Sequence, residues 1–142
     1  MSMCITIADA VTAALNAGGF LQPFTAARLY RPLFELKDMG TLHVTVVPRG
    51  LTIEPLDRGR DQHDYQVDVA VQKRLASENA AEVDSLMDLV EQIGDRFRHK
   101  VLETDPPAVC VKVENVPIYA PEHLEQLRQF TSVLTLTFRV VR

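Results

Sequence analysis

The chain has no tryptophan, and aromatic residues make up only 6% of its 142 positions. That leaves little material for stacking bases along a single strand of nucleic acid. Cysteine is almost as scarce, with Cys4 and Cys110 present and neither in a CxxC pair. Two thiols cannot build a disulfide framework; they read as free thiols in a reducing compartment, with a single bridge as the alternative. Long apolar runs are missing too, since nothing approaches the ~18 residues that span a bilayer. The opening "MSMCITIADA" lacks the basic start and unbroken apolar stretch of a secretory signal. Basic charge is not in excess: the net charge is −4 and the pI about 5.5. This argues against broad nucleic-acid or membrane-surface binding, which need concentrated positive charge, and no sequence-specific nucleic acid is expected as a partner.

What is present fits one soluble domain over residues 1–142. Apolar content of 46% and charged content of 24% are those of an ordinary globular chain. The length supports one core and is short for two. Ile5 to Ala17 reads as a helix, with Thr6 and Asp9 as a capping box and Gly18-Gly19 as its end. "FTAARLYRPLFEL" is β-rich, but Pro32 reduces it to an edge strand or two short pieces. "TLHVTVVP" and "GLTIEPL" then alternate as two strands around a "PRG" turn, with Leu42, Val44 and Val46 on one face and Leu51 with Ile53. "DYQVDVAVQKRL" sets Tyr65, Val67, Val69 and Val71 inward against Gln66, Asp68, Ala70 and Gln72.

Residues 79–98 predict an amphipathic helix whose stripe is Val83, Leu86, Met87, Val90, Ile93 and Phe97, started by Asn79 and Glu82. Arg96, Arg98, His99 and Lys100 sit at its C-terminal end, where the helix dipole favours cations. "VCVKVE" gives a strand with Val109, Val111 and Val113 inward, "APEHLEQLR" a short helix with Pro121 first, and "SVLTLTFRVV" a final strand. The order α-β-β-β-β-α-β-(short α)-β has no regular βαβ alternation. It predicts an α+β fold, mainly an antiparallel sheet with two helices packed on one face.

Reactive side chains concentrate in "DRGRDQHDY", which holds Asp57, Arg58, Arg60, Asp61, His63 and Asp64. A zinc site needs three converging ligands, yet His63 and Asp64 are adjacent and point to opposite faces of a strand. His43, His99 and His123 are solitary, without an HxH, HxxxH or HxxE partner. An oxygen cage for calcium would not usually include two arginines. No G-x-S-x-G elbow occurs, neither cysteine has a histidine beside it, and the glycines form no phosphate cradle. The sequence therefore predicts no catalytic residue, no metal and no cofactor, and the chain does not read as an enzyme. Interleaved Arg and Asp at a strand end instead suit charge-assisted pairs, within the chain or across to a second subunit. On the long helix Asp84, Asp88, Glu91 and Asp95 form one acidic stripe. It is a solvated face, or a surface that meets a partner or repels DNA in a lumen.

The run "LFELKDMGTLHVTVVPRG" (33–50), followed by "HDYQVDVAVQKRL" and the closing "RQFTSVLTLTFRVV", resembles the tail terminator or tail-completion proteins of long-tailed bacteriophages. The likeness runs from about residue 5 to the end, in element order as well as in sequence. It implies a structural virion protein that closes as a homo-hexameric ring on the tail tube. Such a ring stops tube polymerisation and offers a head–tail joining surface to the connector. The partners implied are the tail tube protein and a connector or neck protein. The place implied is the virion, after assembly in the host cytoplasm. No catalytic motif comes with the family, so the subunit contact offered at Asp57, Arg58, Arg60, Asp61, His63 and Asp64 rests on the residues themselves. The alternatives are another neck, minor tail or head-completion protein, an adaptor or chaperone of an assembly, and a small-molecule-binding or enzymatic α+β domain. The last would need a concave site with converging polar groups.

Overall fold

The computed structural model describes residues 2–20, 22–30, 41–75 and 80–142. The fold is α+β. Helix α1 (Met3–Asn16) leads into strands β1 (Ala26–Arg28), β2 (His43–Pro55) and β3 (Asp61–Arg74). Helix α2 (Ala80–Phe97) follows, then β4 (Val101–Leu102), β5 (Ala108–Glu114), α3 (Pro121–Leu127) and β6 (Gln129–Val141). One sheet of order β1-β2-β3-β6-β5-β4 holds these strands, antiparallel except where β1 runs parallel to β2.

The sheet is built on the alternation of β3 and β6. Tyr65, Val67 and Val69 pair with Phe138, Leu136 and Leu134, and all six are buried. Val46 and Val44 extend the same row on β2. Helix α2 lays Leu86, Leu89, Val90, Ile93 and Phe97 into this core, with Val83 and Met87 partly buried at its margin. Phe97 meets Phe138 edge-on at 6.4 Å, and a Cβ at Gly94 would lie 3.5 Å from Leu134 and Val113. Those are ordinary contact distances, so α2 packs directly on β6 and β5 at this point. Ile7, Ala8, Val11 and Leu15 of α1 belong to the same buried cluster.

Gly18 and Gly19, at φ 86° and 87°, end α1 in a conformation that costs a side chain strain. Arg96 turns away from its own helix end. It donates to the carbonyls of Gly18 at 3.0 Å and Gly19 at 3.4 Å, with its guanidinium over the Phe20 ring. That ties the C-terminal ends of the two helices. At the sheet edge, Asn16 brackets Ala26, donating to its carbonyl at 3.0 Å and accepting its N–H at 2.7 Å. A side chain thus stands where another strand would.

Several local expectations change. Helix α1 begins at Met3, so Thr6 is no cap: its hydroxyl donates to the Ser2 carbonyl, and Asp9 pairs with Arg28 of β1. "PRG" is not a turn. β2 is one strand with a bulge between Pro48 and Gly50, because the extra residue is absorbed by pairing with β3 on both sides. Val109 and Val111 are 38% and 43% exposed, while Ala108 and Cys110 face the core. A second bulge, between Cys110 and Lys112, breaks the period the sequence suggested. The face expected to be wet is dry at one end, where Ala70, Gln72 and Gln129 are buried and His123 of α3 lies 2.9 Å from the Thr131 hydroxyl. Neither amide atom of Gln72 has a hydrogen-bond partner among the described residues. The expected cap Asn79 and the segment around Pro32 lie outside the described residues.

Candidate functional site

The charged cluster sits where β2 turns into β3, and strand alternation sorts it into three environments. Asp57 closes the turn. Its Oδ2 accepts from Nε and Nη2 of Arg60 at 3.0 and 2.7 Å, and its Oδ1 accepts the Gly59 N–H at 3.0 Å. The Arg60 guanidinium, and then the Gly59 amide, hold this carboxyl below its ordinary value of 3.8. Asp64 lies on one face of β3 and is gripped by Arg139 of β6 at 2.9 and 3.1 Å. That pairing pushes the Arg139 pKa up.

His63 falls on the opposite face, stacked 6.2 Å from Tyr65, with a buried Nδ1 that has no hydrogen-bond partner among the described residues. Asp61 uses its backbone, exchanging hydrogen bonds with Arg142 at 2.7 and 3.0 Å. The six residues therefore do not converge on a point. Asp57, Arg60 and Asp64 are engaged within the chain, whereas Arg58 and Asp61 form no side-chain ion pair among the described residues. Among those residues no group of three or more His, Cys, Asp or Glu side chains is placed to hold a metal ion.

Asp84, Asp88, Glu91 and Asp95 are all exposed, opposite the buried stripe of α2. Beside them a cleft of about 360 Å³ is lined by Gln22, Lys73, Glu82, Ser85, Leu86 and Asp88. Lys73 and Glu82 pair at 3.2 Å, and Gln22 donates to the Ser85 carbonyl, so much of its polar lining is already satisfied. Burial raises the thiol pKa of both Cys4 and Cys110, which keeps them protonated and poor nucleophiles near neutral pH. No helix among the described residues is long and apolar enough to cross a membrane.

Sequence reading missed the feature beside the cluster. Residues 51–60 are all exposed, and among them Leu51, Ile53 and Leu56 are 47%, 52% and 50% exposed. The turn composition of Pro48-Arg49-Gly50 hid it, because β2 is one strand and not two. A 13-residue strand runs roughly 44 Å at 3.4 Å per residue, and an 18-residue helix only about 27 Å at 1.5 Å per residue. The hairpin therefore outruns what the helices can cover, and its apolar residues emerge into solvent. No protein-family model matches the chain, and no curated protein matches it.

Proposed function

We propose that the chain is a structural subunit of a long-tailed phage virion, closing as a ring on the end of the tail tube. In this reading the ring stops tube polymerisation and presents a joining surface to the head connector. It is made in the host cytoplasm, ends in the virion, and requires no catalysis or cofactor. The resemblance of residues 33–50 and of the closing strand to tail terminators supports it.

The observation that carries the reading is the hairpin arm. Residues 51–60 stand clear of the core, with an Asp57–Arg60 clamp at the tip and three large apolar side chains along the flank. A soluble chain gains nothing for its own stability from such a flank, whereas a neighbour that covers it gains apolar burial. A stiff arm with an apolar flank and a charged tip suits a joint between subunits. The acidic stripe of α2 would then face the lumen, where it repels passing DNA, or a partner.

The test is tube capping. Purified chain added to polymerising tail-tube protein should give short, uniform tubes with a ring at one end by negative-stain electron microscopy. Unchanged tube lengths with no terminal density would remove the terminator reading and leave the other neck proteins.

A further inference from the structure

The edge of β2 is covered along only part of its length. β1 pairs with Val44 to Val46, and Leu29 donates to the Val46 carbonyl at 2.9 Å. Behind β1, Asn16 closes the edge once more. Beyond the bulge, residues 49–55 have no strand on the side away from β3 among the described residues. The direction of the backbone groups there follows from the hairpin. Leu56 donates to the Arg60 carbonyl, so its groups, and those of Glu54 and Thr52, turn inward to β3. Leu51 and Ile53 then turn both N–H and C=O outward, and Pro55 adds a carbonyl but no donor. Their side chains are among the exposed apolar residues of the arm. A long apolar edge without a proline or lysine at its centre is a template for another strand.

We infer that in the free protein this edge pairs with the same segment of a second copy, antiparallel about a two-fold axis through Thr52. In that register each Leu51 faces the Ile53 of the other copy. Both residues point outward, so each such pair exchanges both of its backbone hydrogen bonds. Shifting the centre to Ile53 would set Leu51 against Pro55 and lose a donor. Shifting it to Leu51 would set Ile53 against the bulge at Arg49. On one face the four Leu51 and Ile53 side chains of the two copies come together. On the other, the Arg49 guanidinium reaches inward across β3 to Asp68 and Thr135 and so leaves the joint clear of its charge. The segment is thus complementary to itself in hydrogen bonding and apolar contact. The contact is isologous, unlike a head-to-tail ring joint, so it describes the chain before assembly and does not depend on the ring reading.

The register makes a sharp test. Thr52 faces Thr52 in a non-hydrogen-bonded pair, with Cα atoms about 4.5 Å apart, within disulfide reach. Thr52→Cys should give a covalent dimer under mild oxidation on non-reducing gels. Wild type and Glu54→Cys, the latter several residues out of register, should stay monomeric on the same gel. In sedimentation velocity, wild type should dimerise with rising concentration. Ile53→Lys, which sets two cations at the joint, should raise the dimer dissociation constant roughly tenfold or more. Both positions are exposed, so the variants should fold, with far-UV spectra as the check. Failure of Thr52→Cys to crosslink, or sedimentation unaffected by Ile53→Lys, overturns the inference. Tube capping by wild type is a separate measurement and stands or falls without it.

Discussion

Asp64 and Arg139 face each other across β3 and β6, the guanidinium donating from Nε and Nη2 to the two carboxylate oxygens at 2.9 and 3.1 Å. The pair is bidentate and only part-exposed, yet it lies on the polar face of the sheet. A cross-strand ion pair of this kind contributes roughly 0.5–1 kcal/mol. Arg139→Ala should lower the unfolding free energy by about that amount in urea titrations. Adding Asp64→Asn should cost little more, because its partner is already gone. Additive losses would show that the two residues act separately.

Phe97 is fully buried at the end of α2, with its ring edge-on to Phe138. Truncation removes apolar area and leaves a cavity bounded by helix and sheet, neither of which can collapse freely. Phe97→Ala should destabilise the fold by about 3–5 kcal/mol in chemical denaturation. A loss below about 1 kcal/mol would place that face of α2 in solvent.

The Asp57 carboxyl gives the hairpin a pH response of known sign. Its folded value is depressed, first by Arg60 and then by the Gly59 amide. Its contribution to the turn is therefore fully present above the ordinary value of 3.8 and fades as pH falls through the depressed one. An NMR titration should place the Asp57 midpoint below that ordinary value, and Arg60→Ala should move it back up. An unchanged midpoint in the variant would mean that the clamp is not formed in solution.

Much of this was legible in the residues. β3 and β6 announce themselves because their period-two alternation is long and matches a real buried face. The α2 stripe does so because five buried positions recur at helical spacing. What escaped was set by context. Pro48-Arg49-Gly50 has turn composition, but partners on β3 hold it extended as a bulge. Leu51 and Ile53 carry the pattern of buried strand residues, yet both are about half exposed, with no helix over them among the described residues. In the charged cluster the alternation of His63 and Asp64 was readable. The partner of Asp64 was not, because Arg139 lies 75 residues away in sequence.

That sorting sharpens the test of the hairpin as a ring joint. Arg60 is already committed to Asp57 at the tip, while Arg58 has no ion-pair partner among the described residues. Within a monomer an exposed charge of this kind contributes only ~0–1 kcal/mol per pair. Arg58→Glu and Arg60→Glu should therefore both leave the far-UV spectrum and melting temperature nearly intact. Around a closed ring the same contact recurs at every subunit boundary, so small losses multiply. Arg58→Glu should weaken tube capping, most visibly at low salt, where like-charge repulsion is least screened. Arg60→Glu should weaken it less directly, by loosening the turn. Adding Asp61→Lys to Arg58→Glu should partly restore capping if the two charges meet across the joint. Tail lengths scored under the microscope for each variant decide the matter, and normal capping by Arg58→Glu would reduce the hairpin tip to a solvated turn.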